Sequence, residues 1–197
     1  MRKILTLLFI SISLMSYSQS NFKNVPILWT GNETIFEGDN ITTFIQVENR
    51  HNTINGNNGW LTRLMLVSSG KFKVGGGLVI TSFDGIEQIR LNQVFEYEFH
   101  RILAEEMFTR GQDFITRIRY RALHPIKIGK KKRNAFLVGV EPFFNISRNG
   151  LSVEQSRCYL MFDFFLHRKA HIRFGWIPEF FENRVNHILS AKIHLNF

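Results

Sequence analysis

The run Asn186-His187-Ile188-Leu189-Ser190-Ala191-Lys192-Ile193-His194-Leu195-Asn196-Phe197 decides how the rest of the chain is read. Counted back by twos from Phe197, it gives Leu195, Ile193, Ala191, Leu189 and His187, a face that is apolar except at its far end. The alternate set, Asn196, His194, Lys192, Ser190 and Ile188, is mostly polar. Successive strand side chains point to opposite faces, so this period of two predicts a strand wetted on one side only.

The same alternation recurs upstream in segments of about ten residues. Ala170 to Phe181 sets Ile172, Phe174, Trp176, Pro178 and Phe180 against His171, Arg173, Gly175, Ile177 and Glu179. Arg157 to His167 sets Cys158, Leu160, Phe162, Phe164 and Leu166 on one face. Further strands are predicted over Phe136–Asn145, Asp113–Ala122, Gln88–Phe99, Lys71–Ser82, Trp60–Ser68 and Ile41–Arg50, with a weaker one between Phe22 and Phe36. Ser69-Gly70, Phe83-Asp84-Gly85 and Arg168-Lys169 have the chemistry of tight turns. Asn52–Gly59, His100–Gly111, His124–Arg133 and Ser147–Glu154 read as longer loops; His100–Gly111 has partial helical spacing through Ile102, Leu103, Met107 and Phe108. Gly75-Gly76-Gly77 falls inside a strand, where glycine relieves crowding or bends the wall, and is not a phosphate loop.

The beginning of the chain has the layout of a secretory signal peptide. Met1-Arg2-Lys3 is basic, Ile4 to Met15 is apolar with small polar interruptions, and Ser16-Tyr17-Ser18 places small residues at a cleavage site before Gln19. The apolar run is well short of the ~20 residues a spanning helix needs, and no cysteine follows the cut to carry a lipid. Residues 1–18 are therefore expected to be removed, and 19–197 to form one domain. Loss of Arg2 and Lys3 lowers the formal charge from +9 to +7. Cys158 is the only cysteine, so no intrachain disulfide can form. No later stretch holds 18 uninterrupted apolar residues, which excludes a spanning helix.

An exported β-protein with 44% hydrophobic residues and 20 phenylalanines has two solutions. A soluble sandwich turns its apolar faces inward, but a domain of this size has little room for so many long aromatic faces. A membrane barrel turns them outward, and only helices and closed barrels satisfy every backbone polar group in lipid. The expected fold is all-β: a single antiparallel up-and-down transmembrane barrel. Nine strands and the weak one make ten, with eight as the alternative, since single-chain barrels favour even numbers.

Several motifs fall in sequence along this frame: Glu48-x-Arg50, Glu87-x-x-Arg90-x-x-Gln93, Phe114-x-x-Arg117-x-Arg119-Tyr120-Arg121, Glu141-Pro142-Phe143-Phe144-Asn145 and Ser156-Arg157-x-Tyr159. Their order and spacing, over Ile41 to Phe197, resemble domain of unknown function 2490, a group of predicted bacterial outer-membrane barrels. The last strand and Phe197 likewise resemble the signal read by the barrel-insertion machinery. These resemblances imply a location, the outer membrane of a diderm bacterium, and partners, its lipids and insertion machinery. They bring no activity, substrate or catalytic residue.

The inward register collects Glu48, Arg50, Arg63, Arg90, Glu96, Glu98, Arg117, Arg119, Arg121, Glu141, Arg157, Asp163, Arg173, Glu179 and Lys192. A narrow barrel filled by paired arginine and carboxylate is the leading expectation, because the guanidinium fork binds carboxylates bidentately. Glu96, Glu98 and Glu141 are the expected partners of the ladder Arg117, Arg119 and Arg121. Such a filled barrel has a structural or accessory role. One alternative is a narrow, porin-like pore for small polar or charged solutes, lined by opposing charges. Another is a lipid-modifying hydrolase at the barrel rim, for which His167, His171, His187 and His194 lie near Ser156, Ser190 and Asp163 in the sequence. No spacing joins serine, histidine and acid recognisably, so no catalytic residue is assigned. No cluster has metal-ligand spacing, and no cofactor is expected. Gly129-Lys130-Lys131-Lys132-Arg133 lacks the aromatic interleaving of a nucleic-acid site and is read as a solvated turn at the end that holds Phe197.

Overall fold

The computed structural model describes residues 23–54, 56–83, 85–129, 133–147 and 150–197. The cleavage site after Ser18, and Lys130 to Lys132 of the basic turn, lie outside them. Eleven strands follow one another: β1 (Lys23–Glu37), β2 (Ile41–Asn52), β3 (Asn58–Ser68), β4 (Phe72–Phe83), β5 (Ile86–Tyr97), β6 (His100–Thr109), β7 (Ile115–Ile128), β8 (Asn134–Ser147), β9 (Gly150–His167), β10 (Ala170–Phe180) and β11 (Arg184–Asn196). Each pairs antiparallel with the next, and β1 closes the barrel on β11.

The count is eleven, neither ten nor eight. The added strand is β6, in the segment read above as a loop. It was obscured because both its faces mix polar and apolar residues. Leu103, Glu105 and Met107 are buried inside, while Ile102 and Phe108 are exposed outside. The turn before it is equally unmarked: Glu98 makes it with a φ of 53° and no glycine.

An odd count has a geometric consequence. In an up-and-down meander the first and last strands then run the same way, and β1 pairs with β11 in parallel, from Lys23 opposite Arg184 to Ile35 opposite Asn196. Residue 23 and Phe197 therefore lie at opposite ends of the barrel. Phe197 is tied in at its end: its amide donates to the Ile35 carbonyl at 2.8 Å, its own carbonyl accepts from the Glu37 amide, and its ring stacks on Phe36 at 5.7 Å. β1 is also the strand with the weakest outward polarity signal, for Thr30 and Asn32 are exposed there.

Elsewhere the polarity is that of a barrel turned inside out. Leu64, Leu66, Leu78, Ile80, Leu91, Phe95, Phe164, Phe174, Trp176 and Leu189 are exposed on the outer surface, while Glu48, Glu105, Glu141, Arg157 and Asp163 are buried inside. Gly75 and Gly77 let β4 approach β3 closely. A Cβ on Gly77 would stand 2.1 Å from the Leu64 carbonyl oxygen, and one on Gly75 equally close to that of Leu66. This confirms the crowding role expected of the glycine run.

Candidate functional site

The interior is the candidate site, and its chemistry follows from which strands are neighbours. Arg119 on β7 faces β6 and β8. It donates through Nη1 to Glu105 at 3.0 Å and through Nη2 to Glu141 at 2.9 Å. Glu141 also accepts from the Tyr159 hydroxyl and faces Arg157 Nη1 at 3.8 Å. Arg157 Nε donates to Glu179 at 2.6 Å, and Glu179 accepts from Asn186 at 2.7 Å. A chain of alternating charge thus crosses β6 to β10 and ends on the Asn186 amide of β11. At its near end Glu105, fully buried, stands 3.7 Å from Arg90 and 3.9 Å from Arg117, whose other partner is Glu154. The Phe143 ring, 1% exposed, lies beneath Arg119 and Arg157 at 4.6 Å each. Such stacking suits the weakly hydrated guanidinium.

Three smaller groups occupy the rest. Glu48 accepts from Lys192 and from Gln46, and Gln46 in turn accepts from Arg63 at 2.8 Å. Lys192 and Arg50 lie over Trp29 at 3.8 and 4.3 Å. Towards the Phe197 end, His171 and His194 stack at 4.6 Å. His194 reaches Glu33 at 3.0 Å, and Asp163 lies 2.9 Å from Arg173 and 3.5 Å from His171. Glu96 is held between Lys73 and Arg101.

Glu48, Arg50, Arg63, Arg90, Glu96, Arg117, Arg119, Arg121, Glu141, Arg157, Asp163, Arg173, Glu179 and Lys192 thus share the barrel interior. Glu98 makes no ion pair with the ladder among the described residues. It sits in the β5–β6 turn, half-exposed and 3.8 Å from Lys71. Of the three carboxylates expected beside the ladder, Glu141 makes an ion pair with it, while Glu96 lines a cavity with Arg121 but is paired to Lys73 and Arg101. Glu105 and Glu154 take the other places. Glu105 was missed with β6, and Glu154 enters through a register shift where Phe143 and Phe144 pair with Gln155 and Val153. Apolar residues share the inward register: Ile27 and Met161 join Leu137, Ile177 and Ile188 in one buried cluster, and Met65, Val67, Val94 and Leu103 form another. Ser190 is buried between Gly175 and Trp29 on the neighbouring strands, and its hydroxyl has no hydrogen-bond partner among the described residues.

The side chains do not fill the interior completely. Cavities of about 330 and 260 Å³ remain. Glu33, Gln46, Arg63, Arg101, Arg121 and Arg173 line both. Eight strands enclose a space that side chains just fill, and diameter grows with strand number, so residual space is expected of eleven.

Fold and site together define a closed eleven-stranded β-barrel with an apolar outer surface and a charge-paired interior. No family model matches the chain, and neither a curated protein nor a solved structure matches it.

Proposed function

We propose that this chain is an outer-membrane β-barrel protein of a diderm bacterium, related to domain of unknown function 2490. In this reading its lumen is held by ion pairs and its role is structural or accessory. The observation that carries the reading is the inverted polarity of a closed barrel. Apolar side chains surround the outside on every strand, and such a surface far exceeds the patch a soluble monomer leaves exposed. Strands of 10–18 residues meet the 9–11 that a tilted strand needs to cross. Aromatic groups mark the two ends, Phe36 with Phe197 and Phe72 with Tyr97 at one and Phe108 with Phe114 at the other, as interfacial girdles do. Residues 1–18 supply the export signal, and Phe197 is the candidate for recognition by the insertion machinery. The outer-membrane lipids are the standing partner.

A second reading, a narrow pore for small polar solutes, is favoured by one observation: the two interior cavities share part of their lining. Both readings are tested on full-length protein expressed in a diderm host. The expected result is recovery in the outer-membrane fraction with the intact mass of residues 19–197, and no stable conductance step in planar bilayers. Recovery as soluble protein retaining Met1 contradicts the location. Stable ohmic steps select the pore.

A further inference from the structure

We propose that the lumen binds a small multivalent oxyanion, held by Arg63 and Arg121 where the two cavities adjoin and by Arg50 in the wall of the larger one. The inward carboxylates have nearer partners, Glu33 in His194 and the others in arginine or lysine, and these three arginines are left over. None of them makes an ion pair among the described residues, whereas the neighbouring Arg101 and Arg173 are matched by Glu96 and Asp163. The Nε atoms of Arg50, Arg63 and Arg121 are closed off from solvent and have no hydrogen-bond partner. Arg63 has one contact, with Gln46, and Arg50 only the face of Trp29. The three side chains are half-buried, and a charge taken partly out of water without a partner is costly.

The larger cavity is lined by ten arginines and one lysine against four glutamates, and Glu96, Glu105, Glu141 and Asp163 are paired to arginines of that lining, which leaves the interior cationic. Its 330 Å³ reaches the range of about 300–1,000 Å³ typical of small-molecule sites. A guanidinium presents a planar fork to phosphate or carboxylate oxygens, so a ligand bearing several such groups meets these arginines better than a monovalent ion does. The inference goes beyond the structural role proposed above, and it rests on the barrel interior alone.

The test is calorimetric titration of the folded, full-length protein in detergent with pyrophosphate and with citrate, in a constant chloride background. Saturable binding of one anion per barrel is expected for at least one of them, and which one binds separates phosphoryl from carboxylate ligands. The double variant Arg63→Gln/Arg121→Gln is expected to bind roughly tenfold or more weakly, while Lys127→Gln, an exposed cation near the barrel end, leaves binding unchanged. Should the double variant fail to fold, Arg63→Lys and Arg121→Lys decide, each keeping the charge but losing the fork and weakening affinity. Absence of saturable heat with both anions overturns the proposal. So does unchanged affinity in a folded Arg63/Arg121 variant.

Discussion

Glu105→Leu is expected to lower the stability of the folded barrel by about 3–5 kcal/mol, the range for removing one partner of a buried ion pair. Glu105 is fully buried and faces Arg119, Arg90 and Arg117 at 3.0, 3.7 and 3.9 Å. Its removal leaves three guanidinium groups together, with Glu141 and Glu154 the carboxylates still beside them. Arg119→Leu is expected to cost less. Glu105 then keeps Arg90 and Arg117, and Glu141 keeps Arg157 and Tyr159. Ile118→Leu, an apolar swap on the outward register, is expected to cost less than about 1.5 kcal/mol. Urea titration read as the folded band on unboiled gels measures all three. A Glu105→Leu barrel as stable as the parent means that the interior charges are screened by water and do not hold the barrel.

Phe162→Arg is expected to cost about 2–4 kcal/mol in lipid, against about 0–1 kcal/mol for Leu166→Arg near the rim. Phe162 lies on the outward register of β9 among Phe164 and Phe174, with ring centroids 6.3 and 5.5 Å away. Leu166 is exposed and lies two residues from the turn at Arg168-Lys169, whereas Phe162 is half-buried among its neighbours. Depth dependence is the signature of a hydrocarbon environment, since an arginine in water has no reason to distinguish the two positions. Equal and small costs, read from unfolding in vesicles, contradict a lipid-facing β9.

Much of this fold was legible in the sequence because a barrel with unlike faces writes a period of two into every strand. β9, β10 and β11 carry it most cleanly. β6 does not. With Leu103 and Met107 inside and Ile102 and Phe108 outside, its faces have little contrast, and the spacing of Leu103 and Met107 imitates a helix. Missing β6 shifted every partnership that crosses it. Glu96 was matched to the arginine ladder, although the intervening strand puts Arg101 against Glu96 and Glu105 against Arg117. The ladder itself was legible, for Arg117, Arg119 and Arg121 alternate with Ile118 and Tyr120. Which carboxylates face it depends on strand count and on the β8–β9 register shift, neither of which local periodicity encodes. The polar register already carried its apolar members, Leu137, Ile177 and Ile188; that they gather into one buried cluster depends on which strands are neighbours.

The three tryptophans test the account most directly. Trp60 and Trp176 are exposed on the outer surface at 43% and 39%, whereas Trp29, at 6%, lies inside beneath Lys192 and Arg50. In vesicles made from lipids with brominated acyl chains, single-tryptophan chains retaining Trp60 or Trp176 are expected to lose much of their fluorescence, and a chain retaining Trp29 very little. Quenching of Trp29 as strong as that of the other two would contradict the inward register. Protein that remains in solution with all three unquenched would contradict the membrane barrel itself.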